Sequence, residues 1–293
     1  MKKTYKDMSA EECARHYLRG RRKVLLLFTL TLVVVFLADF AATDYIYPLK
    51  YGDAETVEIY TGISKAQNLI FFILVVFISI FTIVRILLKQ AAIQNIFLSQ
   101  CDPEKYIAAE KIICKKAGLG FRTRRQKCMV ANAYTACGDF EGALKFYEKV
   151  MPKDVNKLRD VYILGGLASY YLNLEDRKTA GIYIARLEEL KTSGKKRGSR
   201  LDMTLNHLKS VVAIQEGRYE EAKALIDSYL GKVLLSNSSK AVNYYNLGLI
   251  ACETENPAEA IYRLKAAVDL GNHLFFVKDA ETRLNEINER FVS

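Results

Sequence analysis

The side chains that could hold a metal ion are the first candidates for chemistry in this chain. Six cysteines and three histidines are present, and thiolate and imidazole are the ligands that zinc prefers. No two cysteines have only two residues between them, although most structural zinc sites use such close pairs. Imidazole could come only from His16, His207 and His273. The sequence therefore predicts no metal site, and it favours buried, free thiols.

The common catalytic motifs are missing from the sequence. The chain contains no phosphate-binding G-x-x-x-x-G-K-[ST], no H-E-x-x-H and no G-x-S-x-G. Because a catalytic triad can be assembled from distant residues, motifs alone do not decide the question. Since no clustered carboxylate pattern of a known hydrolytic kind is present either, we predict that the chain is not an enzyme, has no catalytic residues and binds no cofactor.

Two uncharged apolar runs define the first elements of the chain. VLLLFTLTLVVVFLA covers residues 24–38 and continues past Asp39 to Ala42, and LIFFILVVFISIFTIV covers residues 69–84. A helix of about 20 apolar residues crosses the hydrocarbon core of a bilayer. In the first run, the Val, Leu and Phe residues contribute about −5 kcal/mol to insertion, which outweighs about +3 kcal/mol for one Asp. We predict transmembrane helices at residues 24–43 and 68–89.

Two alternatives to membrane spans remain open at this point. Either run could be a buried core helix, although such helices rarely lack charge for so long. The first run could also be a cleaved signal peptide, since basic residues precede it. Against that, 23 residues come before the run, and ADFAAT after it is a poor cleavage site.

Basic residues predict the orientation of the two spans. The N-terminal segment, residues 1–23, holds eight Lys or Arg, whereas residues 44–67 hold only Lys50 and Lys65. Because basic flanks stay in the cytoplasm, we predict a multi-pass protein of the cell (plasma) membrane with both termini cytoplasmic. Residues 44–67 are then an extracytoplasmic loop, whose tyrosines mark the interface or sense a ligand. All six cysteines fall on the predicted cytoplasmic side, where thiols stay reduced.

Helix signals flank the spans. Ser9 and Glu12 fit a capping box that would open a short helix ending at Gly20. No Gly or Pro occurs between Ser64 and Asp102, so one helix could leave the bilayer and become the first helix of the cytoplasmic part.

An alanine followed four residues later by a large apolar residue recurs five times in the remaining two thirds of the chain. The pairs are Ala109 with Ile113, Ala143 with Tyr147, Ala180 with Ile184, Ala222 with Ile226, and Ala260 with Leu264. Successive pairs lie 34, 37, 42 and 38 residues apart, and a period near 34 is typical of helix pairs stacked into a solenoid. We expect Gly138 and Gly217 to form left-handed turns within pairs. Leu284, Ile287 and Phe291 would lie on one face of a terminal capping helix. A plain helical bundle is the alternative.

The pattern resembles the tetratricopeptide repeat (TPR) family over roughly residues 90–271. The clearest matches are the second helices GDFEGALKFYEKV and GRYEEAKALIDSYL and the first helix YYNLGLIA. In the last of these, Tyr244, Leu247, Gly248 and Ala251 match the positions of the family. The departures are Arg177 and Pro257 in place of an aromatic residue, and Lys127, Leu164 and Asn206 in place of Trp. The resemblance implies an all-α fold, with two transmembrane helices followed by a TPR-like α-solenoid of about five helix pairs and a capping helix in residues 90–293. The chain looks similar to membrane-anchored bacterial members of the family.

The function implied by this resemblance is a membrane-tethered scaffold that binds a cytoplasmic protein or peptide in the concave groove lined by first helices. The implied groove residues are Arg125, Asn132, Tyr162, Ser169, His207 and Tyr245. Docking of chaperone tails is not expected, since Cys128 and Gly166 stand where chaperone-binding members carry Lys and Asn.

The transmembrane hairpin and the basic runs suggest other partners. The transmembrane hairpin could instead recruit the chain as an accessory subunit of a transport, secretion or envelope-synthesis complex, although neither span contains G-x-x-x-G. The basic runs RTRRQK (122–127) and KTSGKKRGSR (191–200) could contact lipid or nucleic acid, but a solvated loop is the simpler interpretation. Only Phe121 could stack on bases beside them, so the sequence disfavours a nucleic acid, as it disfavours a small-molecule substrate.

Overall fold

The protein is all-helical. The computed structural model describes residues 4–117, 123–151, 154–194, 198–231 and 235–292. Within these ranges it contains twelve α-helices, two short 3-10 helices and no strand, which confirms the all-α class. The chain divides into two compact units, which we call the hairpin unit (Glu12–Ile93) and the array unit (Met1–Glu11 with Gln94–Ser293).

The hairpin unit is built from two long helices, α1 (Ala10–Ile46) and α2 (Ala54–Leu98), with a 3-10 helix at Tyr47–Tyr51 between them. Both are long and apolar enough to cross a membrane. Their most apolar stretches are 0% and 6% buried, and side chains such as Leu27 and Phe77 are 63% and 67% exposed. A core helix of a globular domain would bury these residues, so the alternative of two buried core helices is wrong.

Two expectations about the ends of these helices are corrected. The helix expected to end at Gly20 continues through it, because a glycine inside a helix costs only about 1 kcal/mol relative to Ala. A Cβ at Gly20 would also lie 3.1 Å from Lys89 Cε of α2, so the small residue suits a close approach of the two helices. Residues 44–67, treated above as a loop, are helical from Ala54 onward.

Polar side chains of the hairpin unit bond within it. Gln67 Nε2 donates to the carbonyl oxygen and Oδ1 of Asp39, both at 2.9 Å, and lies 2.8 Å from Thr43 Oγ1. Tyr17 OH donates to Gln90 Oε1 at 2.9 Å. Polar groups are thus satisfied between the helices while apolar ones face outward, which is the arrangement that a lipid environment requires.

The array unit contains the remaining helices. They are α3 (Pro103–Ala117), α4 (Arg124–Ala136), α5 (Phe140–Tyr147), α6 (Val161–Asn173), α7 (Arg177–Thr192), α8 (Ser199–Gln215), α9 (Tyr219–Leu230), α10 (Asn237–Glu253), α11 (Pro257–Gly271) and α12 (Val277–Val292). We call α4, α6, α8 and α10 the first helices, and α5, α7, α9 and α11 the second helices. Each first helix packs on the second helix that follows it, and the first helices contact one another in chain order. The end of α2, from Gln94, also belongs to this unit.

The same turn joins the helices of all four pairs. Its left-handed residue is Gly138, Glu175, Gly217 or Glu255, with φ of +79°, +59°, +71° and +52°. In each turn the amide of this residue donates to the carbonyl three residues back, and the next amide donates to the carbonyl five back. These paired bonds satisfy carbonyls left free at the end of the first helix. The left-handed turns predicted at Gly138 and Gly217 are confirmed.

The repeated alanines all lie in the core. Ala109, Ala143, Ala180, Ala222 and Ala260 are each 0% exposed. Four of their large partners are buried as well, whereas Ile184 is only half-buried and Tyr183 and Leu187 fill the space beside Ala180. Gly248 allows α10 and α11 to approach closely, because a Cβ there would lie 2.6 Å from Leu264 Cδ2. Leu284 and Ile287 of α12 are half-buried, and the side chain of Phe291 lies outside the described residues.

The turn between α11 and α12 is bonded to the beginning of the array unit. The amide of His273 donates to the carbonyl of Cys101 at 3.1 Å, and the amide of Phe275 donates to the carbonyl of Ala136 at 3.0 Å. The surface along the first helices, where the groove was expected, is therefore lined on one side by Leu274, Phe275 and Phe276.

Candidate functional site

A cavity of about 410 Å³ lies between the first helices. All four contribute to its wall, and Leu274, Phe275 and Phe276 of the α11–α12 turn line one side. Along α6 the lining extends from Val161 to Asn173, which is about 18 Å at the rise of an α-helix. The cavity is therefore longer than a compact ligand needs, and its volume lies within the range of ligand sites.

Five of the six predicted groove residues line this cavity. They are Asn132 of α4, Tyr162 and Ser169 of α6, His207 of α8 and Tyr245 of α10. The sixth, Arg125, lies in a neighbouring depression, where its Nε is 3.0 Å from Asp160 Oδ2. The structure thus brings five of these side chains together. That they bind a partner stays a prediction.

Asn132 is the centre of the first polar network on the cavity wall. Its Oδ1 accepts a hydrogen bond from Tyr147 OH, and its Nδ2 donates to Tyr162 OH at 3.0 Å. Gly166 of α6 makes this approach possible, because a Cβ there would lie 2.7 Å from Asn132 Oδ1. Burial, together with the neighbouring Cys128, raises the pKa of Tyr147, so its hydroxyl remains a donor at neutral pH.

His207 belongs to the second polar network, between α8 and α10. Tyr229 OH donates to Asn243 Oδ1 at 2.9 Å and lies 3.4 Å from His207 Nδ1. Burial lowers the pKa of His207, while its hydrogen bond with Asn243 acts in the opposite direction. Protein surrounds the imidazole on most sides, but the residue keeps some accessible surface because it lines the cavity. It is therefore neutral at pH 7.

Asn246 of α10 lines the same cavity and was not singled out by the sequence. The residue is 9% exposed, and among the described residues its Nδ2 has no hydrogen-bond partner. A buried donor without an acceptor costs about 1 to 3 kcal/mol. Its signal in the sequence is a lone amide within the apolar segment YYNLGLIA.

The described side chains that line the cavity carry positive charge but no negative charge. No Asp or Glu is among the described side chains that line it, and its one charged lining residue is Arg200. The neighbouring depression shares Arg200 and Val161 with the cavity and is also lined by Arg125, Arg159 and Asp160. The basic residues of 195–197 and Arg122, which belong to the predicted basic runs, lie outside the described residues.

The cysteines offer no reactive thiolate near the cavity. Burial raises the pKa of Cys128 to about 12 and that of Cys101 to about 11, so both thiols are protonated at neutral pH. The described part of the chain assembles no group of three His, Cys, Asp or Glu that could hold a metal ion. What the cavity offers is neutral hydrogen-bonding groups on an apolar surface, which suits binding.

Comparison with models of known families, with characterised proteins and with solved structures finds no match for this chain. Its function is therefore argued from geometry and chemistry.

Proposed function

We propose that this protein is a membrane-anchored binding module that takes a segment of a partner protein into the cavity between its first helices. The hairpin unit is the anchor and spans the bilayer twice. The array unit is a TPR-like solenoid on the cytoplasmic side, and both termini lie on that side.

The anchor is supported by the outward apolar faces of α1 and α2. Side chains such as Leu27 and Phe77 would be costly in water, whereas lipid solvates them. The orientation rests on the eight basic residues of the N-terminal segment, because Lys and Arg stay in the cytoplasm.

The repeat character of the array unit is supported by recurring local structure. Four pairs share one left-handed turn, and all five anchor alanines are fully buried. First helices contact first helices in chain order, which is how stacked pairs line a shared surface. Because this turn is a common helix ending, the recurring contacts between first helices carry more of the support than the turn does.

The observation that carries the proposed binding is the convergence of separate polar side chains on one elongated cavity. Asn132, Ser169, His207 and Tyr245 come from four different helices, and Asn246 adds a buried donor without a partner. A length of about 18 Å fits about five or six residues of extended chain. Binding in such a groove supplies specificity without chemistry.

The alternative, recruitment through the hairpin into a membrane complex, has less support. Asp39, Thr43 and Gln67 bond to one another, so they are not left to bond a further helix. The outward side chains around them are apolar and need only lipid.

Photo-crosslinking in cells tests the proposed function. A benzophenone amino acid at position 173, an exposed residue at the end of the cavity lining on α6, can reach a bound segment without filling the cavity. One at Ile182, which is 54% exposed on α7, reports on the outer surface. We expect a discrete crosslinked protein from position 173 and not from position 182. Equal crosslinking from both positions, or none from position 173, would contradict the proposal.

A further inference from the structure

The neighbouring depression lies where three first helices begin. Arg125 is in the first turn of α4, Arg159 and Asp160 precede α6, and Arg200 is in the first turn of α8. The helix macrodipoles add positive potential at these ends. Gly198, the N-cap of α8, has no side chain to bond the free amides of the first turn. Three guanidinium groups and one carboxylate leave this depression with an excess of positive charge.

Two of these arginines are available. Arg125 is paired with Asp160, whose other oxygen accepts the amide of Tyr162. Arg159 and Arg200 are exposed, and within the described ranges their guanidinium groups make no hydrogen bond or ion pair. An anionic group in the depression would therefore meet two unengaged, bidentate donors.

The opposite end of the cavity is apolar. α4 and α6 run parallel, because Arg125 contacts Asp160 near their beginnings while Asn132 lies beside Gly166 further along. The amide of Phe275 donates to the carbonyl of Ala136, the last residue of α4. The α11–α12 turn therefore lies at the end of the cavity that is opposite to the arginines. Leu274 and Phe276 are 4% exposed there, and Phe275 is 45% exposed.

We propose that the segment bound in the cavity is extended, carries an acidic side chain over Arg159 and Arg200 at one end, and places apolar side chains against Leu274 and Phe276 at the other. This inference rests on the proposed function and specifies its partner. Between the two ends, Ser169 lines the cavity and offers a hydroxyl to the backbone of the segment.

A peptide fits these observations better than a lipid with an anionic headgroup. Both would bring negative charge to the arginines, but an acyl chain carries no acceptor along its length. Polar side chains of the cavity wall, such as Ser169 and Thr204, would then lose their contact with water without gaining a partner. An extended peptide offers a carbonyl at every residue.

The test is selection of a displayed random hexapeptide library on the full-length protein in detergent. Peptides that bind would be measured against wild type, the double variant Arg159→Gln with Arg200→Gln, and the cavity-filling variant Ser169→Trp. Arg177→Gln, an exposed arginine at the start of α7 that lines neither cavity nor depression, is the matched control for charge. Competition by vesicles of phosphatidylglycerol, compared with phosphatidylcholine, reports on an anionic lipid.

We expect enriched peptides with Asp or Glu near one end and aromatic or aliphatic residues near the other. The double arginine variant should weaken their binding about tenfold or more, since charge-assisted hydrogen bonds are lost, and the loss should shrink at high salt. Arg177→Gln should leave binding unchanged, and Ser169→Trp should abolish it.

The remaining outcomes separate the two proposals. Peptides that are blocked by Ser169→Trp but carry no acid, or that ignore the arginine variants, would overturn the acidic partner and leave the proposed function standing. No enrichment, or enrichment insensitive to Ser169→Trp, would overturn both. Competition by phosphatidylglycerol alone, without enriched acidic peptides, would assign the arginines to lipid and overturn the inference.

Discussion

The hairpin unit and the array unit use the same residue types in opposite ways. In the hairpin unit, leucines and phenylalanines face outward and the amide of Gln67 bonds between helices. In the array unit, leucines such as Leu167 are fully buried and charged residues cover the outside. Apolar content alone therefore does not decide where a helix lies. This difference is the one expected if lipid surrounds the hairpin unit, as proposed, while water surrounds the array unit.

The largest effect is expected when one leucine in each unit is replaced by aspartate. Leu167→Asp buries an unpaired carboxylate in the array core and should destabilise that unit by more than about 4 kcal/mol. Leu27→Asp, on the outward face of α1, should leave array stability unchanged but cost about 3 kcal/mol of membrane insertion. Thermal unfolding in detergent and membrane fractionation measure the two effects. If both variants lost array stability equally, the proposal that lipid surrounds one unit and water the other would be contradicted.

The second effect sharpens the account of the array unit. Gly166→Ala places a Cβ 2.7 Å from Asn132 Oδ1, and overpacking of this kind should cost about 1 to 3 kcal/mol. Gly181→Ala is the control, because nothing lies within 4 Å of its Cβ on α7 and helix propensity should stabilise it by about 0.5 to 1 kcal/mol. Urea unfolding gives both values. We expect the free energy of unfolding to fall in Gly166→Ala and to rise in Gly181→Ala. If Gly166→Ala left it unchanged, the tight packing at Asn132 would be refuted.

A smaller effect is expected in the hairpin unit. Gln67→Leu removes the bonds to Asp39 and Thr43 and should weaken association of α1 with α2 by about 0.6 to 1.7 kcal/mol, as for other polar contacts within membranes. Steric trapping in bicelles measures this change. Asn68→Leu is the control, because its side chain bonds only to the carbonyl of Ser64 in its own helix.

The smallest effect is a pH dependence at His207. Burial lowers its pKa below the ordinary 6.5, so the unfolded chain takes up a proton that the folded array does not. Stability from this group is complete above about pH 6.5 and is lost as the pH falls below it, until the lowered folded pKa is reached. Urea unfolding at pH 7.5 and pH 5.5 should show a smaller pH dependence in His207→Gln than in wild type. An equal dependence in both would assign the effect to other groups.

The sequence predicts much of this architecture because the signals are local. The apolar runs, the buried alanines and the turns at Gly138 and Gly217 are all readable from residue type and spacing. The turns at Glu175 and Glu255 are not, because Glu has no preference for positive φ and only the surrounding helices impose it. The helix through Gly20 was likewise not predicted, because a glycine inside a helix costs only about 1 kcal/mol and need not end it.

The candidate site is predictable in part for the same reason. Asn132, Ser169 and His207 were expected at groove positions from the resemblance to the TPR family, and all three line the cavity. The lining by Leu274, Phe275 and Phe276 does not follow, since it depends on contacts between positions more than 130 residues apart. Asn246 becomes notable only when its missing partner is seen.

The most direct test asks which of the two regions holds the partner. The protein crosslinked from position 173 would be co-purified with the full-length chain carrying either Ser169→Trp, which fills the cavity, or Phe77→Ala, which alters the outward face of α2. The account predicts that Ser169→Trp removes the partner and that Phe77→Ala retains it. Retention with Ser169→Trp and loss with Phe77→Ala would contradict the account and assign recognition to the hairpin unit.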